Sequence, residues 1–172
     1  MVSWYLKNRR DLPWRQTKDA YLIWVSESIL QQTRVAQGLD YYIRFTTLFP
    51  DIFSLAAAQP DEVMKAWQGL GYYNRARNLH EAARDVVHNL DGKIPTTYNG
   101  LVKMKGIGPY IGAAIASFAF NEKIPVVDGN VIRFISRLAG IYSADRKNFL
   151  STVMNMMDSE EPSLFNQAIM EF

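Results

Sequence analysis

The sequence predicts an all-α fold, and three observations carry that prediction. Apolar residues recur with the 3.6-residue period of a helix, strict two-residue alternation is nearly absent, and Asp, Pro and Gly stand where the periodic segments begin and end. The 172 residues suffice for one compact unit or two intimately packed subdomains. With 48% hydrophobic and 21% charged residues, the composition is that of a folded chain and excludes intrinsic disorder.

Taken in order, Asp19 caps a helix through YLIWVSESILQQ, and a second helix covers 35–47, with Pro50 ending that region. Pro60, Asp61 and Glu62 start a helix for VMKAWQ, which Gly69 and Gly71 stop. YYNRARNLHEAARDVVHNL reads as a long amphipathic helix with Ala76, Leu79, Ala83, Val86, Val87 and Leu90 on one face. DGKIP is a turn. Helices are expected at 97–104, 109–119, 130–141 and 145–157, and a last one begins near Pro162. No repeat, low-complexity run or flexible linker interrupts them. The final segment SLFNQAIMEF ends without a capping signal, so the chain is expected to be a fragment of a longer protein.

No stretch approaches 18 uninterrupted apolar residues, and the opening MVSWYLKNRRDLPWRQ lacks the apolar core of a signal peptide. Membrane spanning and secretion are therefore not expected, and the cytoplasm is. The absence of cysteine excludes disulfides, a thiolate nucleophile and a thiolate-held metal within this chain. Residues 1–137 carry 17 Lys and Arg against 12 Asp and Glu, whereas residues 138–172 carry 2 against 5. The basic excess of the larger part is compatible with a polyanionic partner and with many ordinary enzymes.

LVKMKGIGPYIGAAIASF places Gly106, Ile107 and Gly108 between two helical patterns, with Pro109 where a first helical turn tolerates it. Such a hairpin exposes N–H groups at the positive end of a helix, a ready anion site, and Lys103 and Lys105 add attraction for a phosphate. Phosphate binding is the favoured reading; a plain helix connection is the alternative. Small residues Gly112, Ala113, Ala114 and Ala116 let the second helix pack closely.

Two carboxylates differ in their surroundings. Glu27 has Ile23, Trp24 and Leu30 as helical neighbours, so a carboxyl on that face is desolvated and its pKa raised, which suits a proton donor near neutrality. A buried structural glutamate is the alternative. Asp128 opens DGNVIRFISRL, where it or Asn130 caps a helix; in the sharper reading it is an anionic carboxylate facing the Glu27 pocket, placed to stabilise positive charge on a sugar. One neutral acid and one anion match the division of labour in glycoside hydrolysis. Trp14 with Arg15, and Tyr72 with Tyr73, can stack on bases or wedge into a duplex, or simply fill the core. Arg75, Arg77 and Arg84 read as a solvated, DNA-facing or salt-bridged helix surface. His80 and His88 are too isolated for a metal site, and Met154, Met156 and Met157 read as core filler.

Five segments, LPWR (12–15), SESILQQTRV (26–35), WQGLGYYNRARNLH (67–80), KGIGPYIGAAI (105–115) and VVDGNVIR (126–133), resemble the helix-hairpin-helix glycosylase superfamily, and within it the A/G-specific adenine DNA glycosylases (MutY-type). The resemblance implies a two-lobed all-α fold with DNA bound across the cleft. Residues 18–127 would form a six-helix lobe, and residues 1–17 with 128–172 the other. It implies removal of adenine mispaired with 8-oxoguanine or guanine in double-stranded DNA, by a monomer. Glu27 would protonate adenine N7 and then assist water addition, and Asp128 would stabilise the cationic sugar. Tyr110 and Asn130 match positions near the sugar and the acid; Trp14, Arg15 and Gln167 match the adenine pocket. Gln32, Thr33, Leu70 and Tyr72 match the wedge beside the opposing base, and Gly106, Gly108, Tyr110 and Lys105 the phosphate hairpin.

In the endonuclease III branch an amine nucleophile stands at the position of Tyr110. A phenol forms no Schiff base, so a monofunctional glycosylase is expected. The chain departs from the family in lacking the four cysteines that hold a 4Fe–4S cluster and the C-terminal domain that recognises 8-oxoguanine; both are expected only in a full-length member. A thymine or uracil mismatch glycosylase and a non-catalytic DNA-binding module are the competing functions.

Overall fold

The computed structural model describes residues 1–140, 146–157 and 160–172, and every regular element among them is helical. The chain opens with α1 (Val2–Asn8), a helix not anticipated from the sequence, followed by a 3-10 turn at Pro13–Arg15. α2 (Ala20–Leu30) starts where expected, because the Asp19 carboxylate accepts from the Tyr21 and Leu22 N–H groups at 2.8 and 3.3 Å. It ends two residues earlier than its periodicity suggests: Gln31 leaves the helical region and Gln32 turns to φ +58°. α3 (Val35–Leu48) packs against it, with Gly38 seated where a side chain would strike Leu30.

α4 (Ile52–Ala57) was also missed. Six residues are too few to display a helical period, and only the reciprocal Asp51–Ser54 capping box marks its start. α5 (Pro60–Trp67) and α6 (Asn74–Asn89) follow, joined by a loop in which Gly69, Gly71 and Tyr72 all hold positive φ. The helix expected over 97–104 shrinks to α7 (Tyr98–Leu101), since the chain must already turn toward the hairpin. α8 (Pro109–Phe120), α9 (Gly129–Ala139), α10 (Arg146–Met156) and α11 (Pro162–Glu171) complete the fold. Residues 141 and 145, expected at the end of one helix and the start of the next, lie outside the described residues. Residues 18–127 thus hold seven helices, α2–α8, in place of the expected six.

Two buried clusters organise the packing. The larger is built on α2–α8 around Trp24, Phe45, Leu55, Trp67, Leu79 and Ile115. The smaller joins Val131, Ile135, Phe149, Val153, Phe165 and Ile169 from α9, α10 and α11 with Val127 just before α9 and Met157 just after α10. Leu12 and Trp14, expected in the second lobe, pack into the larger cluster, so residue 18 does not separate the cores. α1 instead lies on α11, where the buried Tyr5 hydroxyl donates to Gln167 Oε1 at 2.8 Å. Among the described residues no helix is long and apolar enough to cross a membrane.

The hairpin shows why glycine is needed at one of its positions. Gly106 holds φ +79°, and a Cβ there would stand 2.8 Å from Asn78 Cβ on α6. Gly106→Ala is expected to destabilise the fold by about 1 kcal/mol or more, read as a lower urea midpoint at unchanged slope. Gly108 is the extended N-cap of α8 and faces open space.

Candidate active site

α2 is buried almost throughout, from Ile23 to Ile29, and Glu27 lies in its last turn with only 6% of its surface exposed. Burial pushes its carboxyl up to about 7. The Tyr110 hydroxyl opposes that shift by donating a hydrogen bond to it, the Asp128 charge adds to it, and Arg15 lowers it. Tyr110 reaches Glu27 because Pro109 starts α8 directly after the hairpin and α8 packs along α2, with its Ile111, Ile115 and Ala116 in the same buried cluster as Ile23, Trp24 and Ile29. Burial, and then the Glu27 charge, raise the phenol well above its ordinary value, so it stays a neutral donor.

Asp128 arrives from the opposite side. Buried Asn166 on α11 accepts from the Val126 N–H at 3.1 Å and donates to Ile124 O and Ser117 Oγ, which fixes the segment leading into α9. Asp128 then caps α9: its Oδ1 accepts from the Asn130 and Val131 N–H groups at 2.9 and 2.8 Å, and its Oδ2 accepts from Asn130 Nδ2 at 3.1 Å. Arg133 in turn holds the Asn130 side-chain oxygen. The cap reading and the cleft reading of Asp128 therefore hold together: one carboxylate closes the helix and lines the cavity that Glu27 borders.

Two adjoining cavities share Glu27, Tyr110 and Asp128. The outer, about 750 Å³, is also lined by Gln32, Tyr72, Tyr73 and Arg75. The inner, about 200 Å³, adds Trp14, Arg15, Thr33, Asn130 and Gln167. Trp14 is buried with its ring edge-on to Tyr42 at 5.0 Å, so it serves the core and the cavity at once. Four expected site residues line neither cavity. Leu70, expected in the wedge, is 8% exposed and packed in the larger core, because Gly69 and Gly71 turn it inward. Gly106 and Gly108 line neither cavity, and Lys105 is paired with Glu81 at 2.5 Å.

Two residues went unnoticed in the sequence. Arg10 grips Glu171 through Nε and Nη2 at 2.6 and 2.7 Å, and Arg15 Nη2 meets the same carboxylate at 2.5 Å. Burial would raise the Glu171 carboxyl, but the two arginines outweigh it and hold it at about 2. All three residues line the inner cavity, where the Arg15 Nη1 is buried without a hydrogen-bond partner among the described residues. Nothing in the sequence links positions 10 and 171, because the contact closes almost the whole chain. Arg75, read from the sequence as a solvated, DNA-facing or salt-bridged helix surface, is half-buried and folded against backbone carbonyls.

An all-helical chain with a glycine hairpin, and a buried acid facing a helix-capping aspartate across a cleft, defines the class of helix-hairpin-helix glycosylase folds. The chain belongs to the HhH-GPD superfamily of base excision DNA repair proteins, whose family model matches residues 25–156. It is 43% identical over 185 residues to a rat adenine DNA glycosylase, covering 99% of this chain and 36% of that protein. To the adenine DNA glycosylase of Buchnera aphidicola subsp. Acyrthosiphon pisum it is 37% identical, covering 99% and 51%. The chain thus spans between about a third and a half of the length of these curated relatives. Among solved structures, a thermostable thymine-DNA glycosylase superposes with TM-score 0.90 at 27% identity, over 99% of this chain and 81% of that one. An endonuclease III–DNA complex superposes with TM-score 0.86 at 20% identity, over 99% and 79%, which speaks for the fold. With no cysteine in the chain, and no metal-holding cluster of His, Asp and Glu among the described residues, a thiolate-held cluster does not fit these 172 residues.

Proposed function

We propose that this chain is the catalytic part of a monofunctional adenine DNA glycosylase, hydrolysing the N-glycosidic bond of adenine mispaired with 8-oxoguanine or guanine in duplex DNA. The observation that carries the reading is a buried Glu27 acid, held by Tyr110 and facing Asp128 across a cavity open to solvent at its outer end. The likeness to adenine DNA glycosylases along 99% of the chain supports the choice of base.

In this reading adenine leaves the duplex stack and enters the inner cavity. Glu27 gives its proton to N7, the C1′–N9 bond breaks with its electron pair going to N9, and positive charge develops on the sugar. Asp128 stabilises that charge, and Glu27, now anionic, takes a proton from the water that adds to C1′. Arg15, with an unpartnered Nη1, and Gln167 supply polar contacts to the base edge. Tyr110 holds the acid and offers no amine, so base removal is not accompanied by Schiff-base strand cleavage. Gln32, Thr33 and Tyr72 face the opposing base, and the Gly106–Gly108 hairpin with Lys105 holds a backbone phosphate.

A panel of single-turnover reactions tests this, using the full product of the gene on duplexes bearing 8-oxoguanine·adenine, guanine·adenine, guanine·thymine and guanine·uracil. Adenine release is expected from the first two. Release of thymine or uracil without adenine would select the second reading, which the likeness to the thymine-DNA glycosylase structure favours. Binding without release of any base would leave a non-catalytic module.

A further inference from the structure

Arg75 is the second residue of α6, and its guanidinium turns back under both loops at the mouth of the outer cavity. The two N–H groups of its Nη1 are shared among the carbonyls of Ser28 at 3.1 Å, Ile29 at 2.9 Å and Gln31, and Thr33 Oγ1 at 3.4 Å. Its Nη2 donates across to Gly71 O at 3.2 Å and Leu70 O at 3.5 Å. The Ser28 and Ile29 carbonyls belong to the last turn of α2, which has no intrahelical donors for them. Arg75 therefore caps the helix that carries Glu27, placing a cation at its negative end. The same guanidinium lies over the rings of Trp67 and Tyr72, at 5.5 and 5.3 Å.

The backbone at both loops is unusual. Gln32 and Tyr72 hold φ of +58° and +47°, a left-handed conformation that side-chain-bearing residues seldom adopt. Each directly follows a carbonyl bonded to Arg75, that of Gln31 and that of Gly71. Both side chains are exposed and line the outer cavity. Conformations of this kind persist only where the surroundings over-determine them, and they gather at ligand clamps. One planar fork satisfies acceptors on two loops that share no other described hydrogen bond. A lysine, with a single ammonium, cannot span them in the same way.

We propose that Arg75 is a positioning residue that locks the two lips of the cleft, residues 31–33 and 70–72, in one relative placement, and thereby sets the discrimination between mispaired and paired duplex. This rests on the glycosylase reading above. Arg75 acts through Gln32 and Tyr72: lips ordered in advance are not ordered at the expense of binding.

The test uses Arg75→Lys and Arg75→Met in the full gene product. It reads Kd for an 8-oxoguanine·adenine duplex against a fully paired one (both in a Glu27→Gln background), the single-turnover rate at saturating protein, and the melting temperature. Both variants are expected to lose at least about tenfold in the ratio of the two Kd values, the scale of one charge-assisted hydrogen bond, with a smaller change in the saturated rate. A merely structural arginine would lower the melting temperature and weaken both duplexes equally. Folded variants that keep the wild-type ratio would overturn the proposal. Should neither variant fold, amide hydrogen exchange of the wild-type protein decides: concerted opening of 31–33 with 70–72 supports the lock, and independent opening refutes it. Failure of the wild-type protein to release adenine would overturn the functional reading instead, and the exchange experiment would still judge the lock.

Discussion

Replacing Glu27 with glutamine is expected to slow adenine release by about 10²–10⁴-fold, the usual contribution of a positioned general acid, while leaving duplex binding largely intact. The side chain keeps its shape and can still accept the Tyr110 hydrogen bond, so the loss reports the proton and not the packing. The pH dependence gives a second signature. With its carboxyl near 7, Glu27 is protonated below neutrality, and the wild-type rate should fall as pH rises through about 7. The Glu27→Gln rate should be low and flat across that range.

The variant's stability should move in the opposite sense to its activity. The folded-state value of Glu27 lies above its ordinary 4.5, so between about 4.5 and 7 the folded protein binds more protons than the unfolded chain. The stability associated with Glu27 is therefore fully present below 4.5 and lost as pH rises through 7. Glutamine carries no such penalty. The variant should match the wild type at pH 4.5 and exceed it at pH 8, by on the order of 3 kcal/mol at most for a carboxyl shifted this far. Urea unfolding at the two pH values measures it. A variant that loses activity while gaining stability at high pH is the mark of a residue kept for chemistry; equal stability at both would mean that Glu27 is not desolvated in the folded protein.

The parts of this site that were legible in the sequence are those that local chemistry writes into neighbouring residues. Glu27 stood out because its helical neighbours are apolar, Asp128 because it opens a helix, and the hairpin because glycine, proline and small residues fall together. What was not legible depends on contacts between distant segments. Glu171 meets Arg10 and Arg15 only because α11 returns to the start of the chain, and Asn166 fixes the approach to Asp128 from a helix 40 residues away. The carbonyl contacts of Arg75 were not legible since an arginine at the start of an amphipathic helix gives no sign of them; they come from the end of α2 and the residue after it, some 45 residues earlier. Leu70 was placed with the wedge by its segment, yet positive φ at the flanking Gly69 and Gly71 sends its side chain into the core.

Asp128→Asn separates two functions that coincide in one carboxylate. Asparagine caps a helix about as well as aspartate, so Oδ1 can still accept from the Asn130 and Val131 N–H groups; only the exposed contact from Asn130 Nδ2 to Oδ2 is given up, and stability should change by no more than about 0.5 kcal/mol. The negative charge facing the cavity is nonetheless gone. If that charge stabilises the cationic sugar, the single-turnover rate should fall by about 10²–10³-fold, the scale found on removing one preorganised electrostatic group. The charge also contributes to raising Glu27, so its removal should move the fall in rate to lower pH. Asp128→Ala should lose the rate and, in addition, about 1 kcal/mol of stability as the cap disappears. Urea unfolding beside the pH–rate profile distinguishes the cases. A full rate with Asn, together with an unmoved pH profile, would reduce Asp128 to a cap. A rate lost with Asn at unchanged stability would assign the charge to catalysis, because the cap survives in that variant and cannot account for the loss.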